Sequence, residues 1–113
     1  MKVLVCGSRH FNDYEKMKEI LDDIDITTII EGEARGADQL SRIYAEHRGI
    51  PVERFPADWN KFGLAAGPIR NTAMLTEGKP DYVVAFRGQN SRGTQNMIDQ
   101  ATKAGIEVRI IEI

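Results

Sequence analysis

Apolar residues recur along this chain with two alternating periods. Short runs rich in β-branched residues at positions 3–6, 26–30, 52–55, 82–86 and 108–111 have the length and make-up of strands. Amphipathic stretches separate them. Met17, Ile20, Leu21 and Ile24 share one helical face within 14–24, and Leu40, Ile43 and Tyr44 share one within 37–48, where Gly49 supplies a stop. Pro68 suits a first helical position, so a third helix is predicted from there through Leu75, ending near Gly78. A fourth covers 94–104 and stops at Gly105. Strands alternating with helices, and reading as buried on both faces, predict an α/β fold: a parallel sheet sandwiched by helices in three layers. Right-handed crossovers favour the strand order 3-2-1-4-5, with the topological switch between the first and fourth strands.

Length and charge limit what such a chain can be. Its 113 residues suit one domain spanning 1–113, with no room for a separate substrate domain. The formal net charge of −2 argues against a nucleic-acid partner or an anionic membrane surface, so any anion site must be local. Cys6 is the lone cysteine, which excludes an internal disulfide and suits a reducing compartment. The opening apolar run is too short for a signal-peptide core, and no run is long enough to span a bilayer. The expectation is a cytoplasmic protein with no membrane partner.

Glycine, arginine and small polar residues gather where the predicted strands end. The clusters are Gly7-Ser8-Arg9, the segment Gly32 to Asp38, Arg70-Asn71 after Pro68, and the loop from Arg87 to Thr94. In an open α/β sheet this carboxyl edge is where ligands bind, because the following helices point unpaired N–H groups there. Gly32 and Gly36 bracket Arg35 just ahead of a helix opened by Ala37 and Asp38, which combines close backbone approach, helix-start donors and a phosphate-matching guanidinium. Asp38 also suits the helix dipole with no ligand at all. Arg70 is a cation at the positive end of a helix, an arrangement that a bound anion would favour. Asn71 beside it suits a base edge or a ribose. Gly88, Arg92, Gly93 and Thr94 allow a backbone wrap around a phosphate. Trp59 is a candidate for base stacking, although packing as a lid over the core accounts for it equally well.

Familiar catalytic patterns are missing. Two histidines and one cysteine give no metal cage, no Gly-x-Ser-x-Gly elbow occurs, and neither a Walker A loop nor the Gly-x-Gly-x-x-Gly dinucleotide fingerprint is present. No metal and no cofactor is therefore expected. The acids near the carboxyl edge are Glu31, Glu33, Asp38 and Asp58, and Glu33, Asp38 and Asp58 are the catalytic candidates, with only one of Glu31 and Glu33 able to face the crevice.

Taken in order, Val-Leu-Val-Cys-Gly-Ser-Arg at 3–9, Glu-Gly-Glu-Ala-Arg-Gly-Ala-Asp at 31–38, Pro-Ala-Asp-Trp at 56–59, Ala-Gly-Pro-Ile-Arg-Asn at 66–71 and Arg-Gly-Thr at 92–94 resemble the YspA-like branch of the SLOG superfamily. This branch of bacterial and phage proteins is related to Smf/DprA and to the LOG-type phosphoribohydrolases. The resemblance covers essentially the whole chain. It implies a Rossmann-like domain that binds a nucleotide or nucleotide-derived small molecule, and, by analogy with LOG-type relatives, a homodimer. The enzymatic relatives carry Pro-Gly-Gly-x-Gly-Thr-x-x-Glu, whose glutamate takes part in hydrolysis of the base-to-ribose bond. Aligning Gly93-Thr94 on that motif puts Met97 at the glutamate position, and Asn71 stands where an Arg-Lys pair would have its lysine. The resemblance thus implies binding, as a sensor or sequestering module, ahead of hydrolysis of an N-glycosidic bond by a non-standard acid.

Overall fold

A computed structural model describes residues 1–113. Strands β1 (Lys2–Gly7), β2 (Thr28–Glu31), β3 (Val52–Arg54), β4 (Tyr82–Arg87) and β5 (Glu107–Glu112) form one parallel sheet in the order β3-β2-β1-β4-β5. β1 lies at its centre, with Leu4 beside Ile30 on one flank and Val83 on the other. The helices are α1 (Tyr14–Leu21), α2 (Ala37–Arg48), α3 (Trp59–Phe62), α4 (Ala66–Thr76) and α5 (Arg92–Lys103).

The period of two along each strand divides the core into two layers. Val3, Val5, Ile29, Val84 and Phe86 point to one face and bury Met17 and Leu21 of α1 and Tyr44 and Ala45 of α2. Leu4, Cys6, Ile30, Val83 and Ala85 point to the other, against Met74 of α4 and Met97, Ile98 and Ala101 of α5. Only the three central strands are buried on both faces. β3 and β5 are edge strands with exposed or half-buried side chains, which departs from the continuous burial that their apolar content predicts.

Most element boundaries lie within a residue or two of those predicted. The clearest differences have local causes. α1 ends at Leu21 because Asp22 and Asp23 follow, where carboxylates oppose the negative end of the helix dipole, and Asp22 is drawn off to Tyr44 and Arg48. α4 begins at Ala66, continuous with a 3-10 turn over Gly63–Ala65, so Pro68 is its third residue and not its first. Its missing N–H costs nothing there, since the first N–H groups of any helix lack an intrahelical partner. α3 has no counterpart in the hydrophobic pattern because it buries no residue; it is held by Asp58, whose side chain accepts from the Lys61 N–H at 3.1 Å.

Candidate binding cleft

Ser8 brings the carboxyl edge together. Its N–H donates to the Phe86 carbonyl at 2.9 Å, while its own carbonyl accepts from Phe11 and Ala37, both at 3.2 Å. One residue thereby ties the end of β1 to the end of β4, to its own loop and to the start of α2. Gly36 makes this closure possible. Its φ of +74° suits glycine, and a Cβ there would run into the backbone of Ser8 and Arg9. As a result the first N–H of α2, that of Ala37, is used on the Ser8 carbonyl and is not free for a ligand.

Beside this junction lies a cleft of about 580 Å³, lined by Gly7, Ser8, Arg9, Asp38, Arg70, Asn71, Arg92, Gly93 and Thr94, together with Cys6, His10, Ala34, Met74, Gln89, Asn90 and Ser91. α5 presents its N-terminus to it. Ser91, the cap residue, makes no capping hydrogen bond to the helix, because its hydroxyl accepts from Gly88 N–H at 3.1 Å. The N–H groups of Gly93 and Thr94 take no partner within the protein.

Arg70 crosses from α4 to the β2–α2 loop. Its Nη1 donates to the Gly32 carbonyl at 2.6 Å and its Nε to Asn71 Oδ1 at 3.0 Å. A Cβ at Gly32 would overlap the guanidinium, so a side chain there would displace Arg70 from this position. Asn71 is buried and fully engaged: its Nδ2 donates to the Gly93 carbonyl at 3.2 Å and to Asn96 Oδ1 at 3.1 Å, fastening α4 to the first turn of α5. Arg9, Arg70 and Arg92 converge on the cleft without a carboxylate at ion-pair distance.

Asp38 is the one acid in the cleft. Its Oδ2 accepts from the N–H groups of Gly32 and Ala34 at 3.0 and 3.3 Å, shaping the loop. Burial raises its pKa, against the pull of those N–H groups and of Arg70. Burial likewise pushes the Cys6 thiol up, so this cysteine stands at the cleft floor as a neutral group.

Several sequence candidates lie elsewhere. Arg35 is exposed outside the cleft, and Gly32, Gly36 and Ala37 support it from behind. Glu33 has a left-handed backbone, φ +58°, and its side chain reaches Arg54 at 3.7 Å. Asp58 caps α3. Trp59 is 53% exposed, packs near Gly67 on α4 and does not reach the cleft. Gly88 belongs to an adjoining groove. Arg87 is claimed by Glu112 of β5 and by Gln95. Met97 is 0% exposed within the core, away from the cleft lining.

His10, Cys6 and Met74 line the cleft as well, beyond the residues that composition singles out. His10 adjoins Gly7-Ser8-Arg9, and that adjacency was the available signal. Which faces of β1 and α4 turn to the cleft depends on tertiary packing, so Cys6 and Met74 carried no such signal.

The chain resembles known proteins at three levels. The family model described as YspA, cpYpsA-related SLOG family matches residues 1–62. The Gene 61 protein of Mycobacterium phage D29 is 33% identical over 117 residues, covering 95% of this chain and 93% of that protein. The X-ray structure of DNA processing protein A (DprA) from Streptococcus pneumoniae superposes with a TM-score of 0.78 at 17% identity, over 96% of this chain and 49% of that one. The chain thus spans about half the length of the DprA chain, and the two share a Rossmann-like fold. No helix is long and apolar enough to cross a membrane. With its N-terminal half matching the family model and almost its whole length matching the phage relative, the chain belongs to the YspA, cpYpsA-related SLOG family.

Proposed function

We propose that the cleft binds a nucleotide or nucleotide-derived small molecule through its phosphate, and that the protein senses or sequesters this ligand. One observation carries the reading: Arg9, Arg70 and Arg92, none of them ion-paired, line the same cleft as Gly93 and Thr94, whose N–H groups are unbonded. Guanidinium groups and a helix start supply the charge and the donors that a phosphate oxygen takes. Calorimetric titration with nucleoside monophosphates tests it. Saturable binding that weakens steeply with salt is expected, and the absence of binding across the common bases would overturn the reading.

A second reading, hydrolysis of a nucleotide N-glycosidic bond, draws support from Asp38. Its second oxygen makes no hydrogen bond within the protein, and the residue lines the cleft beside Arg70. Glu33 and Asp58 lack that placement. Incubation with nucleoside monophosphates followed by chromatography for free base separates the readings: release of base that is lost in Asp38→Asn would establish catalysis.

DprA is by name a DNA processing protein, but we set DNA aside as the partner here. The net charge is −2, and the unpaired arginines gather in a cleft without forming a stripe. We further propose a cytoplasmic homodimer. The lone, buried Cys6 suits a reducing compartment, and Trp59, Phe62, Leu64 and Ile69 form an exposed apolar run along α3 and the start of α4, with Leu64 94% exposed.

A further inference from the structure

The binding cleft continues past its own wall. Ser8, His10 and Gln89 line both that cleft and a second groove of about 510 Å³, which runs between the β1–α1 and β4–α5 loops along the start of α1. Each space lies within the range of roughly 300–1,000 Å³ typical of small-molecule sites. Ser8 follows β1 and Gln89 follows β4, so the shared wall stands at the switch point of the sheet. In open α/β sheets this is the place that two-ended nucleotides straddle.

The two spaces have complementary chemistry. The first holds three arginines and the open start of α5, whereas the second holds one cation, Lys16, which forms no ion pair. Phe11 closes the back of the second groove from within the core, only 6% exposed and stacked on Phe86 with centroids 4.8 Å apart, while the exposed Asn12 stands at its edge. Asp13 lines it too, and spends one oxygen on capping α1 through the Lys16 N–H at 3.1 Å. The Asn12 amide and the remaining Asp13 oxygen can hold ribose hydroxyls or a base edge, the carboxylate disfavours a further phosphate there, and the Lys16 ammonium can donate to a base or ribose acceptor.

We infer that the two spaces are subsites for one two-ended ligand, a pair of nucleoside-sized ends joined by a diphosphate that crosses the wall made by Ser8, His10 and Gln89. This rests on the phosphate reading of the first cleft. Joining the ends makes the second contact intramolecular, so affinity rises without any new feature in the first subsite.

Calorimetry on the whole chain with AMP, ADP and diadenosine diphosphate, and with the guanine series, tests the inference. The dinucleoside diphosphate is expected to bind about tenfold more tightly than the matching nucleoside diphosphate, at one ligand per chain. Lys16→Ala should erase most of that advantage while leaving AMP and ADP within about twofold of wild type. Lys16 is a half-buried, unpaired helix residue, and circular dichroism verifies that the variant folds. Equal affinity for ADP and diadenosine diphosphate would overturn the second subsite and leave the phosphate reading intact. Equal losses for all ligands in Lys16→Ala would also overturn it. Failure of every nucleotide to bind would overturn the inference and the phosphate reading together.

Discussion

Arg70 and Arg35 look alike in the sequence, each near a glycine at the carboxyl edge, yet the fold gives them different work. Arg70 is held at both Nε and Nη1 over the cleft, while Arg35 stands in solvent. Arg70→Ala should therefore cost roughly 1.5 to 3 kcal/mol of nucleotide binding, and Arg35→Ala less than about 0.5. Calorimetry on both variants makes the comparison. Glu31 is a second residue with a measurable signature. It is 0% exposed, its Oε2 accepts from the Glu33 N–H at 2.8 Å, and its Oε1 has no partner. Burial raises its pKa from 4.5 to about 7. Between those values the folded chain keeps a proton that the unfolded chain releases, so this residue makes stability fall as pH rises through that window and level off above it. Glu31→Gln should flatten that slope, seen as a thermal midpoint that changes less between pH 5 and pH 8. An unchanged slope would assign the proton elsewhere.

At the level of elements, α5 shows how far pattern reading extends. Met97, Ile98 and Ala101 fall at helical spacing along α5, and these side chains are buried together under the sheet. Met97 cannot then stand beside a bound ligand as the glutamate of enzymatic relatives would. Met97→Glu should destabilise the fold by several kcal/mol, read as a large drop in thermal midpoint, and should release no base. A stable variant that releases base would reverse this assignment. Strands and long helices were legible because burial imposes a period on them. α3 was not, since a four-residue helix with no buried face leaves only a cap, Asp58, as its trace. The cleft was half legible. Gly7-Ser8-Arg9 and the loop before α5 announced themselves by composition, whereas the occupied first N–H of α2 follows from a hydrogen bond between Ala37 and Ser8 that no local pattern encodes.

Across the whole molecule, the apolar run through Trp59, Phe62, Leu64 and Ile69 lies apart from the cleft lining, so association and ligand binding should be separable. A stable dimer buries on the order of 800 Å² per partner, which this run could seed with its neighbours. Sedimentation should show Leu64→Asp shifted toward monomer with nucleotide affinity preserved, and a wild type that is monomeric at all concentrations would end the dimer proposal. The central position of β1 has a consequence for synthesis. Residues 1–54 can pair as β1, β2 and β3 as soon as they emerge, but the other flank of β1 stays open until Tyr82–Arg87 arrives. The cleft is built across that same seam, from the loop after β1 and the loop after β4. A growing chain therefore carries a bare sheet edge and no closed cleft, and it loses the first and gains the second in one event.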